Sequence, residues 1–263
     1  MSRVNLADRV IFESKSDYVK SIGEGLHSAT IGMTFNQKEM NNHVAKIGEV
    51  LADTLKKAGI TYGNSVKDSN GISDITPMNL IDKDGFKMPD SKQTDCNRFL
   101  AGVLYSAGLF PSSVYSNLNQ DVYLSPEGAK ERSRMEAATK PGGVEFIRQS
   151  PFLEKVGFNL SNENLNGGKV DSKKKEGNEP FVGAVGITRK LKDKAPMDSE
   201  LYADHVYIVT EGPVKSPDTK IKIEGYYVVE SSSEKGPSRN WHPKNAGYFT
   251  RSEYYQVKPT KKD

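Results

Sequence analysis

This 263-residue chain has one cysteine and no long apolar run, and its charge leans only slightly to one sign. A single cysteine cannot close an internal disulfide, and it excludes a metal site built from clustered cysteines. No stretch of 18 apolar residues occurs, so no membrane-spanning helix is expected. Residues 1–15 carry Arg3, Asp8, Arg9 and Glu13 among their apolar side chains and lack the continuous apolar segment of a secretory signal. The expectation is a cytoplasmic protein, or one exported by a specialised route that reads no such signal; a removed leader would leave the same beginning. Against 37 Lys and Arg stand 34 Asp and Glu, a net charge of +3. No concentrated basic face results, so nucleic acid is not expected as a partner. A weak attraction to anionic polymers, cell-wall polymers included, fits the small surplus. Apolar residues make up 35% of the chain. That is low for a globular protein, yet enough for a core wrapped in long polar loops.

What is present divides along the chain. Residues 1–35 show no sustained period and read as loop with short elements. From Asn36 the pattern changes: Met40, Val44, Ile47, Leu51 and Leu55 recur at three- and four-residue spacing, and Gly59 follows as a stop. This predicts an amphipathic helix. Residues 62–93 read as loop. A second helix is expected from about Cys96, burying Phe99, Leu100, Val103 and Leu104 and ending near Gly108. A third is expected over 126–139, where Pro126 suits a first helical turn. Residues 159–180 form the most polar segment, with a lysine run at 173–175, and read as a loop or mobile insertion. After Pro180 the signals turn to strands, expected at 181–188, 205–210, 220–230 and 248–257. Helices followed by an antiparallel sheet argue an α+β fold.

The chemistry centres on Cys96, within Gln93-Thr94-Asp95-Cys96-Asn97-Arg98-Phe99-Leu100. A lone cysteine is by default a small buried hydrophobe. Here Thr94 or Asp95 can cap the helix, which leaves Cys96 in its first turn. There the unpaired N–H groups and the helix dipole favour a thiolate and can support an oxyanion. Four histidines compete as its base. His27 falls in the unpatterned N-terminal region, His43 at the surface or edge of the first helix, and His242 in a loop between Trp241 and Pro243. His205 opens an apolar strand, Asp204-His205-Val206-Tyr207-Ile208-Val209, which fixes its backbone and lets its ring face a helix terminus. His205 is therefore the expected base. An imidazole base needs a polar group to orient it. Antiparallel pairing of the next strand, which ends Val228-Val229-Glu230-Ser231-Ser232, brings Glu230 towards His205 as that candidate.

Asp95-Cys96 followed by Phe99-Leu100 resembles the D-C-x-x-F/L helix opening of the NlpC-like and CHAP-like cell-wall cysteine peptidases. The stretch His205-Val206-Tyr207-Ile208-Val209 resembles their histidine strand, and Val229-Glu230-Ser231-Ser232 the strand that supplies the third polar residue. The similarity covers about residues 90–257. Asn97 and Arg98 replace the small residue and glycine usual after the cysteine, and the interval from Cys96 to His205 is longer than in compact members.

The resemblance implies a papain-like fold with N-terminal helices packed on an antiparallel sheet. It implies a helical extension over 1–89 and a catalytic domain over 90–263 with an insertion at about 111–180. Cys96, His205 and Glu230 are the implied catalytic residues, and Asp95, Asn97 and Arg98 flank them as substrate-binding candidates; no cofactor or metal is expected. A peptidoglycan stem peptide, or another peptide, is the implied substrate. An effector or toxin role with an inhibitory immunity protein as partner would follow. Deamidation or acyl transfer on a protein or lipid uses the same residues, and a non-catalytic binding module with a buried Cys96 is the remaining reading.

Overall fold

The stripe of apolar residues that begins at Met40 becomes helix α2 (Gln37–Ala58) in a computed structural model of the chain. This structure describes residues 14–63, 66–67, 73–74, 80–82, 84–89, 91–109, 153–160, 179–189, 203–220, 222–246, 249 and 251–259. The predicted helix at 126–139 lies outside them.

Helix α2 starts with a capping box. Asn36 accepts from the Glu39 N–H at 3.0 Å, and the Asn36 N–H donates to Glu39 at 2.9 Å. It stops at Gly59, whose φ of 84° suits a residue without Cβ. Its buried face holds the predicted Met40, Val44, Ile47, Leu51 and Leu55. Gly48 on that face lets the helix lie close to the sheet, since a Cβ there would come within 2.7 Å of Val229 Cγ2. Helix α3 (Cys96–Ser106) buries Phe99, Leu100, Val103 and Leu104, as its spacing predicts.

A further helix, α1 (Lys15–Thr30), corrects the reading of 1–35 as loop. Its buried positions are Val19, Gly23, His27 and Thr30, so only one of the four is strongly apolar. The helix packs by fit and polar contact instead. Gly23 receives the ring of Phe86, which a Cβ would meet at 2.3 Å. His27 stacks on Tyr105 with ring centroids 3.9 Å apart, and its Nδ1 lies 2.7 Å from the Tyr105 carbonyl oxygen.

Between α2 and α3 run six two-residue strands: β1 (Thr61–Tyr62), β2 (Val66–Lys67), β3 (Ser73–Asp74), β4 (Ile81–Asp82), β5 (Gly85–Phe86) and β6 (Gln93–Thr94). Six longer strands follow: β7 (Leu153–Leu160), β8 (Val185–Arg189), β9 (Ala203–Lys215), β10 (Glu224–Ser232), β11 (Gly236–Pro243) and β12 (Arg251–Val257). They form one antiparallel sheet in the order β11-β10-β9-β8-β12-β7. The α+β expectation therefore holds at the level of class. The two-residue strands correct the reading of 62–93 as plain loop, and two of the six longer strands were not anticipated either. Strand β7 lies inside the span read as an insertion and takes in Asn159 and Leu160, which the polarity of 159–180 assigns to loop. Strand β11 contains Pro237, Pro243 and a run of polar residues, and it pairs with β10 across the turn at 233–235.

Side chains alternate across the sheet. Ile187, Val206, Ile208, Val229, Tyr255 and Val257 share one core with α1, α2 and α3. Tyr207, Val209, Tyr226, Val228 and Tyr254 point the other way and cluster with Phe249. Among the described residues no helix is long and apolar enough to cross a membrane.

Candidate functional site

Asp95 sets the start of α3. Its side chain accepts the Arg98 N–H at 2.8 Å, the arrangement of an N-cap, and its carboxylate is ion-paired with the Arg98 guanidinium. Both side chains are mostly shielded, 13% and 12% exposed. Arg98 is thus engaged within its own helical turn, where it offsets the Asp95 charge one residue from the thiol. Cys96 is the first residue of the helix and 8% exposed. The N–H groups of Cys96 and Asn97 belong to the first turn, where a helix offers no carbonyl to receive them. Asn97 is half-buried, and among the described residues its Oδ1 has no hydrogen-bond partner.

The other two candidate residues come from adjacent strands. His205 lies near the beginning of β9 and Glu230 near the end of β10, and antiparallel pairing sets those two ends side by side. His205 Nε2 is 2.7 Å from Glu230 Oε2. The same imidazole also interacts with the Cys96 side chain, which helps to raise its pKa. With Nε2 directed at the carboxylate, Nδ1 is the nitrogen left for the sulfur. A further tie closes the site: Ser231, beside Glu230, donates its hydroxyl to the Thr94 carbonyl oxygen at 2.9 Å. The strand that carries the carboxylate is thereby fastened to the residues that lead into Cys96.

The electrostatics follow from burial and partners. Burial by itself would lower the pKa of His205. Its interactions with Cys96 and Glu230 overcome that and hold it well above the usual imidazole range. Burial by itself would raise the Glu230 carboxyl, which is 2% exposed. Hydrogen bonds from His205 and His242 reverse the direction and hold it well below the usual carboxylate range. Glu230 is therefore a buried, fully engaged group rather than an exposed strand-end acid.

His242 corrects a second expectation. It is no loop residue but part of β11, and its Nε2 is 3.1 Å from Glu230 Oε1. Asn240 donates to the same Oε1 at 2.8 Å and to Ser238 Oγ at 2.9 Å. Ser238, Asn240 and His242 lie across from Glu230, Val228 and Tyr226. The sequence signal that would have found them is their period of two, Ser-x-Asn-x-His, directly after a turn. The residues are polar where a core strand would carry apolar ones, so the period reads as loop. His27, on α1, is committed to Tyr105. His43 stacks on Phe35 at 4.7 Å, and burial lowers its pKa against a hydrogen bond with the backbone of Ala107.

No family model, curated protein or solved structure matches the chain. Among the described residues no group of three or more His, Cys, Asp or Glu side chains is arranged to hold a metal ion. An imidazole between a thiol and a carboxylate can take up the thiol proton and keep it, because the carboxylate stabilises the imidazolium.

Proposed function

We propose that this chain is a cysteine hydrolase of the papain-like kind, with Cys96 as nucleophile, His205 as general base and acid, and Glu230 as the group that orients His205. The observation that carries the reading is one imidazole held at 2.7 Å by a buried carboxylate and interacting with the Cys96 side chain at a helix start. The helix-first, antiparallel-sheet architecture supports a papain-like, NlpC-type arrangement.

In this reading the Cys96 thiol gives its proton to His205 Nδ1, and the thiolate attacks an amide carbonyl carbon. The N–H groups of Cys96 and Asn97 receive the oxyanion. His205 then gives the proton to the departing amine nitrogen, the C–N bond breaks and a thioester remains. Water, losing a proton to His205, attacks the thioester and releases a carboxylic acid and the free thiol. Glu230 keeps its proton-free form throughout and balances the imidazolium.

The substrate class that the cell-wall motifs support is a peptidoglycan stem peptide, and an antibacterial effector with an immunity partner is the setting such chemistry fits. Purified peptidoglycan is incubated with the wild type and with Cys96→Ala, and released fragments are analysed by mass spectrometry. Fragments from the wild type alone are expected. Equal release by both proteins would remove Cys96 from the reaction, and release by neither would remove the cell-wall substrate.

A further inference from the structure

Glu230 serves two histidines. Oxygen Oε2 faces His205, while Oε1 receives Asn240 and His242 at 2.8 Å and 3.1 Å. A carboxylate that needs only to accept from one imidazole has no use for two more donors, and each must be held in place at a conformational cost. Their placement has a definite geometric effect. Two donors on Oε1 fix the plane of the carboxylate, and with it the direction from which Oε2 meets the His205 ring. The support itself is anchored: Asn240 also donates to Ser238, whose hydroxyl donates to the Gly236 carbonyl oxygen at 3.1 Å. The ring of His242 rests edge-on against Phe249 with centroids 6.4 Å apart.

We infer that His242 is a positioning residue for the proposed reaction, which acts through Glu230 by donating from Nε2 to the oxygen that His205 does not use. The inference rests on the reading of Cys96, His205 and Glu230 given above. His242 touches neither the thiol nor the reacting carbonyl. Its role is to hold the carboxylate in the orientation that keeps His205 protonated beside the thiolate. Among the described residues the titratable groups that face this pair include His205 and Tyr207 on β9, Tyr226 on β10 across from His242 and, through His205, Cys96 on α3.

The test exploits two substitutions that separate the donor from the ring. His242→Gln places an amide N–H where Nε2 stood but has no ring. His242→Phe keeps a ring against Phe249 but cannot donate. The rate at which iodoacetamide alkylates Cys96 in the full chain is followed by mass spectrometry from pH 4 to 9. Parallel samples are the wild type, His205→Ala and both His242 variants. If His242 acts by donation, the Gln variant stays close to wild type. The Phe variant then reacts roughly tenfold more slowly at neutral pH, the scale of losing one hydrogen bond to a charged group. Its profile also rises at a higher pH than that of the wild type. The opposite order, with Phe at the wild-type rate and Gln slow, assigns His242 a packing role and overturns the inference. Equal rates in all three do the same. Should the Phe variant fail to fold, His242→Asn replaces it, because its shorter amide falls short of Oε1. Failure of the underlying reading looks different: His205→Ala then reacts as fast as the wild type.

Discussion

A glutamine at position 230 would keep the shape of the side chain and remove its charge, leaving three donors around a group that can accept on one side only. Glu230→Gln is expected to destabilise the protein by about 3 kcal/mol at neutral pH, the scale seen when one partner of a buried ion pair is removed. The pH dependence has a definite sign. The Glu230 pKa is depressed in the folded state, so its contribution is present above the ordinary value of 4.5 and is lost as pH falls through the depressed value. The His205 pKa is raised, so its contribution is complete below the ordinary 6.5 and is lost as pH rises through the raised value. The stability gap between wild type and Glu230→Gln, from urea unfolding at pH 3 to 9, should be widest between 4.5 and 6.5 and narrow on either side. A gap that stays constant on acidification would show that the carboxylate gains nothing from its partners. At the same scale Arg98 changes meaning. Its sequence position offers it to a substrate carboxylate, whereas its place against Asp95 makes it a counterweight to the cap's own charge.

Single elements explain which parts were legible. Helices α2 and α3 bury aliphatic and aromatic residues at helical spacing, so their period and their caps can be read directly. Helix α1 could not be read because Gly23, His27 and Thr30 fill three of its four buried positions. A hydrophobic period registers apolar faces, and this face works by a glycine under a phenyl ring and an imidazole on a tyrosine. Strand β11 escaped for the mirror reason: its buried alternation consists of Ser238 and Asn240, with half-buried His242 next. Of the candidate site, Cys96, His205 and Glu230 are legible from a helix start and two strand ends. Asn240 and His242 are not, because what defines them is the oxygen they share. The junction of α2 with the sheet rests on a contact equally invisible to pattern. Gly183, in the turn before β8, has a φ of 84°, and a Cβ there would stand 2.2 Å from the Asn41 carbonyl oxygen. Gly183→Ala combines left-handed strain with a clash against rigid backbone, and should lower the unfolding free energy by about 3 kcal/mol. Thermal and denaturant melts measure this, and a change under 1 kcal/mol would mean that the turn relaxes away from α2.

Across the whole molecule, α1, α2 and α3 pack with the helix-facing side of the sheet into one core that runs in sequence from Val19 to Val257. Arg239 on β11 reinforces the junction from the edge, donating to Glu49 of α2 at 2.8 Å while lying 3.7 Å above the Tyr227 ring. The hydrogen bond from Ser231 to Thr94 joins residues 137 positions apart. That separation has a consequence in time. His205 and Glu230 lie on strands that the ribosome delivers long after the helix itself, and closing so long a loop is entropically costly and slow. During refolding α3 can form early, but its thiol then stands without its imidazole until β9 and β10 have zipped together. Brief pulses of iodoacetamide during refolding from urea should therefore find Cys96 with the reactivity of an ordinary thiol. The native rate should appear only as the sheet's circular dichroism signal completes. A native rate that appears before the sheet would mean that the site assembles locally. In the proposed reaction the thiol would be armed only when β9 and β10 have closed onto the sheet, so that completing the fold and completing the site would be one event.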